Sequence, residues 1–321
     1  MKVIVLGGTR FIGRSAVEEL AAKGHEVMVV HRGHLEPDDM PAVAHLHCER
    51  AELGSHRQQL KAFGADAVID CLALTRSDAE GALSAIRNVK RWIVITSADV
   101  YRAFGAVLVD RETDPVPITE DSPVRPERYP YRARLAGRED YDKLDVEDVY
   151  LPHGALVLRL PMVYGEHDYQ RREEFILRRV RAGRKRIPVG SGSWLTCRGY
   201  VRDIARAIRL AIDQPDITGV LNVCEDRTYS VRLWARMILE AAGSDAELVR
   251  VADEVLPDDL QETRAVLQHV LMSASKARAA LGWTTSEPVQ AMHTTVRWHL
   301  EHPPANANDD FAADDRALAS V

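Results

Sequence analysis

The start of the chain constrains the fold most. The apolar run KVIVL (Lys2–Leu6) meets Gly7 and Gly8 at once. Gly13 follows, inside a stretch from Ile12 to Lys23 in which Ala16, Val17, Leu20 and Ala21 share one helical face before Gly24. A strand, a glycine-rich turn and a helix in that order let the backbone approach a pyrophosphate at the helix N-terminus. A glycine triplet alone is a weak signal, but this context makes it strong. The plainer alternative is a tight strand–helix turn with no ligand. Where the usual spacing has another close-approach glycine, this chain has Arg10.

EVMVV, AHLHC, DAVIDCLAL and RWIVITS continue as strands, with helical stretches at Arg57–Phe63 and Ser77–Val89, and ALVLRL (Ala155–Leu160) adds a sixth strand. This alternation predicts an α/β fold, a Rossmann-type doubly wound parallel sheet. Beyond Gly165 the rhythm changes to helices at Glu173–Ala182, Asp203–Ile212, Ala274–Leu281 and Val289–Glu301, a helix opened by Ser230, the loop PVGSGSW and the strand VLNVC. We expect residues 1–164 to form a dinucleotide-binding domain, completed by about 200–224. Residues 165–199 and 225–302 are expected to form a smaller mixed α/β substrate-binding lid. The acidic tail 303–321, PPANANDDFAADDRALASV, has the composition of a disordered segment.

No apolar run reaches the roughly 18 residues of a membrane span, and MKVIVLGG is too short for a signal peptide. A soluble cytoplasmic protein is expected. Cys48, Cys71, Cys197 and Cys224 lack C-x-x-C spacing, so buried free thiols are expected rather than disulfides, and no metal site. A net charge of -6 argues against wholesale nucleic-acid binding. The basic run from Arg172 to Arg186, with Arg178, Arg179, Arg181, Arg184 and Lys185, is the place where RNA or a phosphorylated substrate could bind. A solvated helix face is the plainer reading.

In an NAD site an acidic residue ends the second strand and takes the ribose hydroxyls. Here that strand ends VVHRGH, with no carboxylate. Arg10 and Arg32, with His31 or His34, read as a clamp for a 2′-phosphate, because arginine pairs with phosphate where a carboxylate would repel it. NADP is therefore the expected cofactor, with NAD possible. The cofactor-side set is Gly7, Gly8, Thr9, Arg10, Phe11, Ile12, Gly13, His31, Arg32, Glu49 and Leu72.

GGTRFIG, ITSADVY (Ile95–Tyr101), LRLPMVYGE, GYVRDIARAI, GVLNVCE and SKARAALGW occur in the order found in the extended short-chain dehydrogenase/reductase superfamily. The chain resembles its NAD(P)-dependent epimerase/dehydratase group to about Pro303. The resemblance implies hydride transfer at an oxygen-bearing carbon of a small or nucleotide-linked substrate, by a reductase or an epimerase, and makes a homodimer plausible. The GGTRFIG subset also includes proteins similar to chloroplast stem-loop-binding RNA proteins. A catalytically impaired cofactor- or RNA-binding member is therefore the alternative.

The group uses a Ser/Thr, a Tyr and a Lys, the last two as Tyr-x-x-x-Lys on a helix. Ser97 falls on the serine position, beside Thr96, and Lys143 falls on the lysine through KLDVE. Four residues before Lys143 stands Glu139. Tyr141 is two residues away, and on a helix residues two apart point about 200° from each other. Three readings stay open. A distortion re-aims Tyr141; or Tyr131, Tyr129 or Tyr101 supplies the acid; or Glu139 does, provided burial raises its pKa. Another register pairs Tyr131 with Leu135. On the substrate side, Met162 stands where nucleotide-sugar members have Asn, and Thr196 where they have Arg, with Arg198 two residues on. Glu166, His167 and Asp168 border the expected cleft.

Overall fold

The structure is a computed structural model describing residues 1–321. In chain order its elements are β1 (Lys2–Leu6), α1 (Phe11–Ala22), β2 (Glu26–His31), β3 (Ala44–His47), α2 (Arg57–Phe63), β4 (Ala67–Asp70), α3 (Arg76–Ala85), β5 (Arg91–Ser97), α4 (Arg102–Val107), α5 (Lys143–Tyr150) and β6 (Leu156–Leu160). Then come β7 (Met162–Tyr164), α6 (Glu174–Arg181), β8 (Arg186–Val189), β9 (Arg198–Tyr200), α7 (Val201–Ile212), β10 (Gly219–Asn222), α8 (Val231–Ala241), β11 (Glu247–Arg250), α9 (Ser275–Leu281), α10 (Pro288–Glu301) and α11 (Ala312–Leu318).

Seven parallel strands form one sheet in the order β3-β2-β1-β4-β5-β6-β10. This is the doubly wound α/β architecture expected. Alternate residues of each strand bury on opposite faces, as a pleat requires. Val3 and Val5 join Ala16, Val17 and Leu20 of α1 in one core, while Ile4 and Leu6 join Val68, Val94 and Val146 in the other. The chain leaves β1 toward β2 and β3, then returns to lay β4 on its other side. The crevice of such a sheet opens where this reversal occurs, at the carboxyl ends of β1 and β4.

The expected strand DAVIDCLAL is shorter than its apolar run. β4 stops at Asp70 because that side chain accepts the N–H groups of Leu72 and Ala73, each at 3.0 Å, and turns the chain out of the ladder. Beyond β6 the chain forms two small parallel pairs, β7 with β9 and β8 with β11, with β9 against α7 and β8 against α11, while α6, α8 and α10 pack on one another. All four cysteines are free; Cys48, Cys197 and Cys224 are buried and Cys71 is half-buried.

The tail corrects the expectation of disorder. Residues 312–318 form α11, which buries Ala317 and Leu318 and brings Asp314 onto Arg179 of α6 through two 2.7 Å hydrogen bonds. Arg179 is fully buried and also binds Asp259. Composition reports the acidity of a segment but not the buried cation waiting for it 135 residues away. Asp314→Ala leaves the buried guanidinium with Asp259 as its one carboxylate and Nε without a partner, so it should lower the unfolding free energy by about 2 kcal/mol. Lys185→Ala, which breaks an exposed pair with Asp245, should leave it nearly unchanged. Urea titrations of the two variants against the parent check this contrast.

Candidate active site

At the end of β1, Gly7 adopts φ +86° and Gly13 lies so close that a Cβ there would sit 1.8 Å from the Gly7 carbonyl oxygen. Phe11 takes φ +40°, a left-handed conformation that costs a non-glycine residue energy and that functional turns tolerate. Arg10 is the N-cap of α1, and its side chain does not cap the helix. The first-turn N–H groups are therefore free for an anion, where the helix dipole also favours one. Arg10 and Arg32 are exposed and have no ion-pair partner. His31 differs, being 6% exposed and touching His45 and Glu36, and burial with the neighbouring imidazoles pulls its pKa down. It is a neutral ring and adds little attraction for a phosphate. Leu72 packs beside Gly7 with much of its surface open, and Glu49 is exposed beyond β3. A bare helix N-terminus with two unpaired guanidiniums fits a phosphorylated dinucleotide.

At the other end of the crevice the geometry removes the helical-spacing problem. α5 begins at Lys143 with Asp142 as its N-cap, so Tyr141 lies before the helix and the angle between helical positions does not apply. The Tyr141 hydroxyl donates to Asp99 at 2.7 Å, and Tyr131 donates to the same oxygen at 3.4 Å, with the two rings edge to face. Asp99 is 3% exposed, and burial raises its pKa. Burial, reinforced by the Asp99 charge, also pushes Tyr141 well above its ordinary value. Lys143 donates to the carbonyls of Ala73 (2.6 Å) and Ile95 (3.0 Å), and burial lowers its pKa. The Ser97 hydroxyl accepts from the Asp99 N–H, whereas Thr96 is occupied in donating to buried Glu147. Glu139 is exposed and accepts from the Gly137 N–H. Tyr101 is buried against Asn222, and Tyr129 lies under Arg132. Leu135 is exposed.

Residues 3–224 match the NAD dependent epimerase/dehydratase family. The chain belongs to that family. It is 25% identical to a chloroplast stem-loop binding protein of 41 kDa from Arabidopsis thaliana, over 99% of this chain and 84% of that protein. A 2'-dehydrokanamycin reductase from Streptomyces kanamyceticus is 31% identical over 37% of this chain and 34% of its own length. The UDP-glucose 4-epimerase of Bifidobacterium longum, solved with NAD+ and UDP, superposes with a TM-score of 0.71 at 19% identity, covering 94% of this chain and 99% of the epimerase. That likeness shows a shared fold. Family membership supports a nicotinamide-dependent enzyme of epimerase/dehydratase type.

Asp99 was not picked out by the sequence reading. It stands two residues after Ser97, and only the fold brings Tyr131 and Tyr141 back to it. Asp70 was missed too. This fully buried carboxylate binds Arg50 through both oxygens, takes the Tyr150 hydroxyl, and holds the Leu72–Ala73 turn that receives Lys143. Its pKa is lowered despite a burial penalty that Arg50 outweighs.

Among the residues expected to border the substrate of this epimerase/dehydratase family member, Met162 lines a cavity of about 540 Å³ with Arg172, Phe175, Glu262 and residues of the tail. Arg198 faces Met162 across the β7–β9 pair, is buried over the Trp234 ring, and donates to the Thr196 carbonyl. Glu166 accepts from Arg202, and His167 stacks obliquely on Trp298. Asp168 accepts the N–H groups of Gln170 and Arg172. The basic run is largely neutralised. Arg178 and Arg179 bind Asp259 and the tail, Arg181 binds Glu174, Arg184 binds Asp315, and Lys185 binds Asp245.

Glu173, just before α6, is fully buried with no hydrogen-bond partner on either oxygen, and burial raises its pKa to about 8. His299, 3.7 Å away, is pushed down to about 4 by burial, so both groups are neutral near pH 7 and do not form an ion pair. The native state keeps a proton on Glu173 that the unfolded chain releases above about 4.5. This residue's contribution to stability therefore falls as pH rises from there to about 8. Glu173→Gln mimics the protonated acid. Urea unfolding at pH 5, 7 and 9 should show the variant gaining on the parent by roughly 3 kcal/mol across the series.

Proposed function

We propose that the protein is an NADP(H)-preferring oxidoreductase, or a related epimerase/dehydratase, that moves a hydride at an oxygen-bearing carbon of a small or nucleotide-linked substrate. The observation that carries this reading is the Tyr141–Asp99 hydrogen bond beside Lys143 and Ser97, at the carboxyl end of the sheet, which also holds the open N-terminus of α1. A bound nicotinamide supplies or takes up the hydride. Lys143, whose ammonium already lies between two carbonyls, is suited to hold a ribose hydroxyl. Ser97 orients the reacting oxygen.

Tyr141 exchanges the substrate proton. Because its phenol is harder to ionise than usual, Tyr141 alone is a poor base. Asp99 supplies the basicity: as Tyr141 takes the substrate hydroxyl proton, its own proton passes 2.7 Å to Asp99. Alcohol oxidation then needs an ionised Asp99, so its rate rises with pH through a range above that of ordinary carboxylates.

Arg10 and Arg32 carry the preference for a 2′-phosphate. Met162 and Thr196, where nucleotide-sugar members have Asn and Arg, favour a substrate without a diphosphate. The stem-loop-binding relative favours a second reading, RNA binding. Ion pairing along Arg172–Arg186 weighs against it, and RNA binding that fades with added salt would restore it.

Calorimetric titration of cofactor-free protein should give tighter binding for NADP⁺ than for NAD⁺, and Arg32→Asp should weaken NADP⁺ more than NAD⁺. Equal losses would refute the clamp, and failure of both cofactors to bind would refute the enzyme. With a turned-over substrate in hand, Asp99→Asn and Tyr141→Phe should each lower kcat by about 10²-fold or more. Glu139→Gln should leave kcat unchanged.

A further inference from the structure

Three histidines meet one carboxylate at the outer edge of the sheet. His31 ends β2 and lies opposite His47 of β3 in the parallel register, and His45 shares the His47 face two residues earlier. The 32–43 connection folds back over them and delivers Glu36. His31 Nε2 lies 2.9 Å from His45 Nδ1 and 3.3 Å from Glu36 Oε1, and His45 Nδ1 lies 3.9 Å from that same oxygen. The His47 Nε2 also contacts Glu36 Oε1. Neighbouring ligand atoms of a tetrahedral ion with bonds of about 2.0–2.1 Å are about 3.3 Å apart, which these separations bracket.

We propose that His31, His45 and Glu36 form a binding site for a divalent transition metal, zinc fitting the donor set best, with His47 steadying the carboxylate. Two neutral imidazoles and a carboxylate, with a fourth position open to water, make a normal zinc ligand set. His31 is held neutral by burial, as a ligand must be. On loading, the His31 ring proton moves to Nδ1, and the 3.2 Å hydrogen bond from the Gly33 N–H is given up. Gly33, exposed and at φ +77°, belongs to a turn with room to adjust.

The site's role follows from what it joins. β3 is a four-residue edge strand, and the 32–43 connection is otherwise tied down by Asp39 on Arg14 at 2.7 Å. A metal bridging β2, β3 and Glu36 staples that connection to the sheet. The proposal stands independently of any reaction at Asp99 and Tyr141. Ligand spacing in the sequence does not reveal it, because the donors come from two strands and a loop.

The test uses untagged full-length protein, stripped with EDTA and dialysed against zinc. One tightly held zinc per chain is expected by elemental analysis, with a rise in Tm on loading. Cobalt(II) in its place should give the intense visible absorption of a four-coordinate ion. Glu36→Gln, at an exposed loop position, and His45→Ala should both abolish stoichiometric zinc while keeping the circular dichroism of the metal-free parent. His34→Ala, outside the cluster, should retain it. Failure of the parent to hold zinc, or retention of zinc by both cluster variants, would overturn the proposal.

Discussion

The contact on which the site depends is the one between Gly13 and the carbonyl of Gly7. A Cβ at residue 13 would lie 1.8 Å from that oxygen, so α1 sits this close to β1 only because no side chain intervenes. The closeness aims the uncapped first turn of α1 at the crevice between β1 and β4. It also lets Ala16, Val17 and Leu20 fill the core over Val3 and Val5. Packing and binding geometry thus share one cause.

The opposite wall of the crevice is held by buried charge. Asp70 with Arg50 and Tyr150 fixes the turn after β4. Glu147 with Arg159 and Thr96 ties α5 to β5 and β6, and Asp142 with Arg125 and the Tyr129 N–H fixes the start of α5. Each carboxylate is satisfied from several sides, which offsets the cost of taking it out of water. Lys143 is presented by all three groups, and Tyr141 leaves the last of them toward Asp99. Asp99 is the exception, with one oxygen lacking any partner. That open oxygen, in a crevice and beside two tyrosine hydroxyls, is consistent with the proton-transfer role proposed for Asp99.

The sequence left one place open and misread another, for related reasons. It left the aim of Tyr141 relative to Lys143 undecided, because the helix boundary depends on Asp142 receiving the N–H of Leu144 and the guanidinium of Arg125 from 17 residues upstream. It read the tail as disordered because the partner that orders it, Arg179, lies in another element. In both cases a long-range charge contact overrode a local pattern.

The sequence by itself determined the parallel α/β sheet, the glycine turn with its arginine, and the family. These are local or periodic signals: a strand run, a turn that tolerates no Cβ, a helical face. Tertiary structure alone decided which tyrosine meets an acid, which arginines stay unpaired, and that three histidines and a glutamate share one edge. Those are matters of distance between residues far apart in the chain, set when the sheet closes and the loops are tied across it.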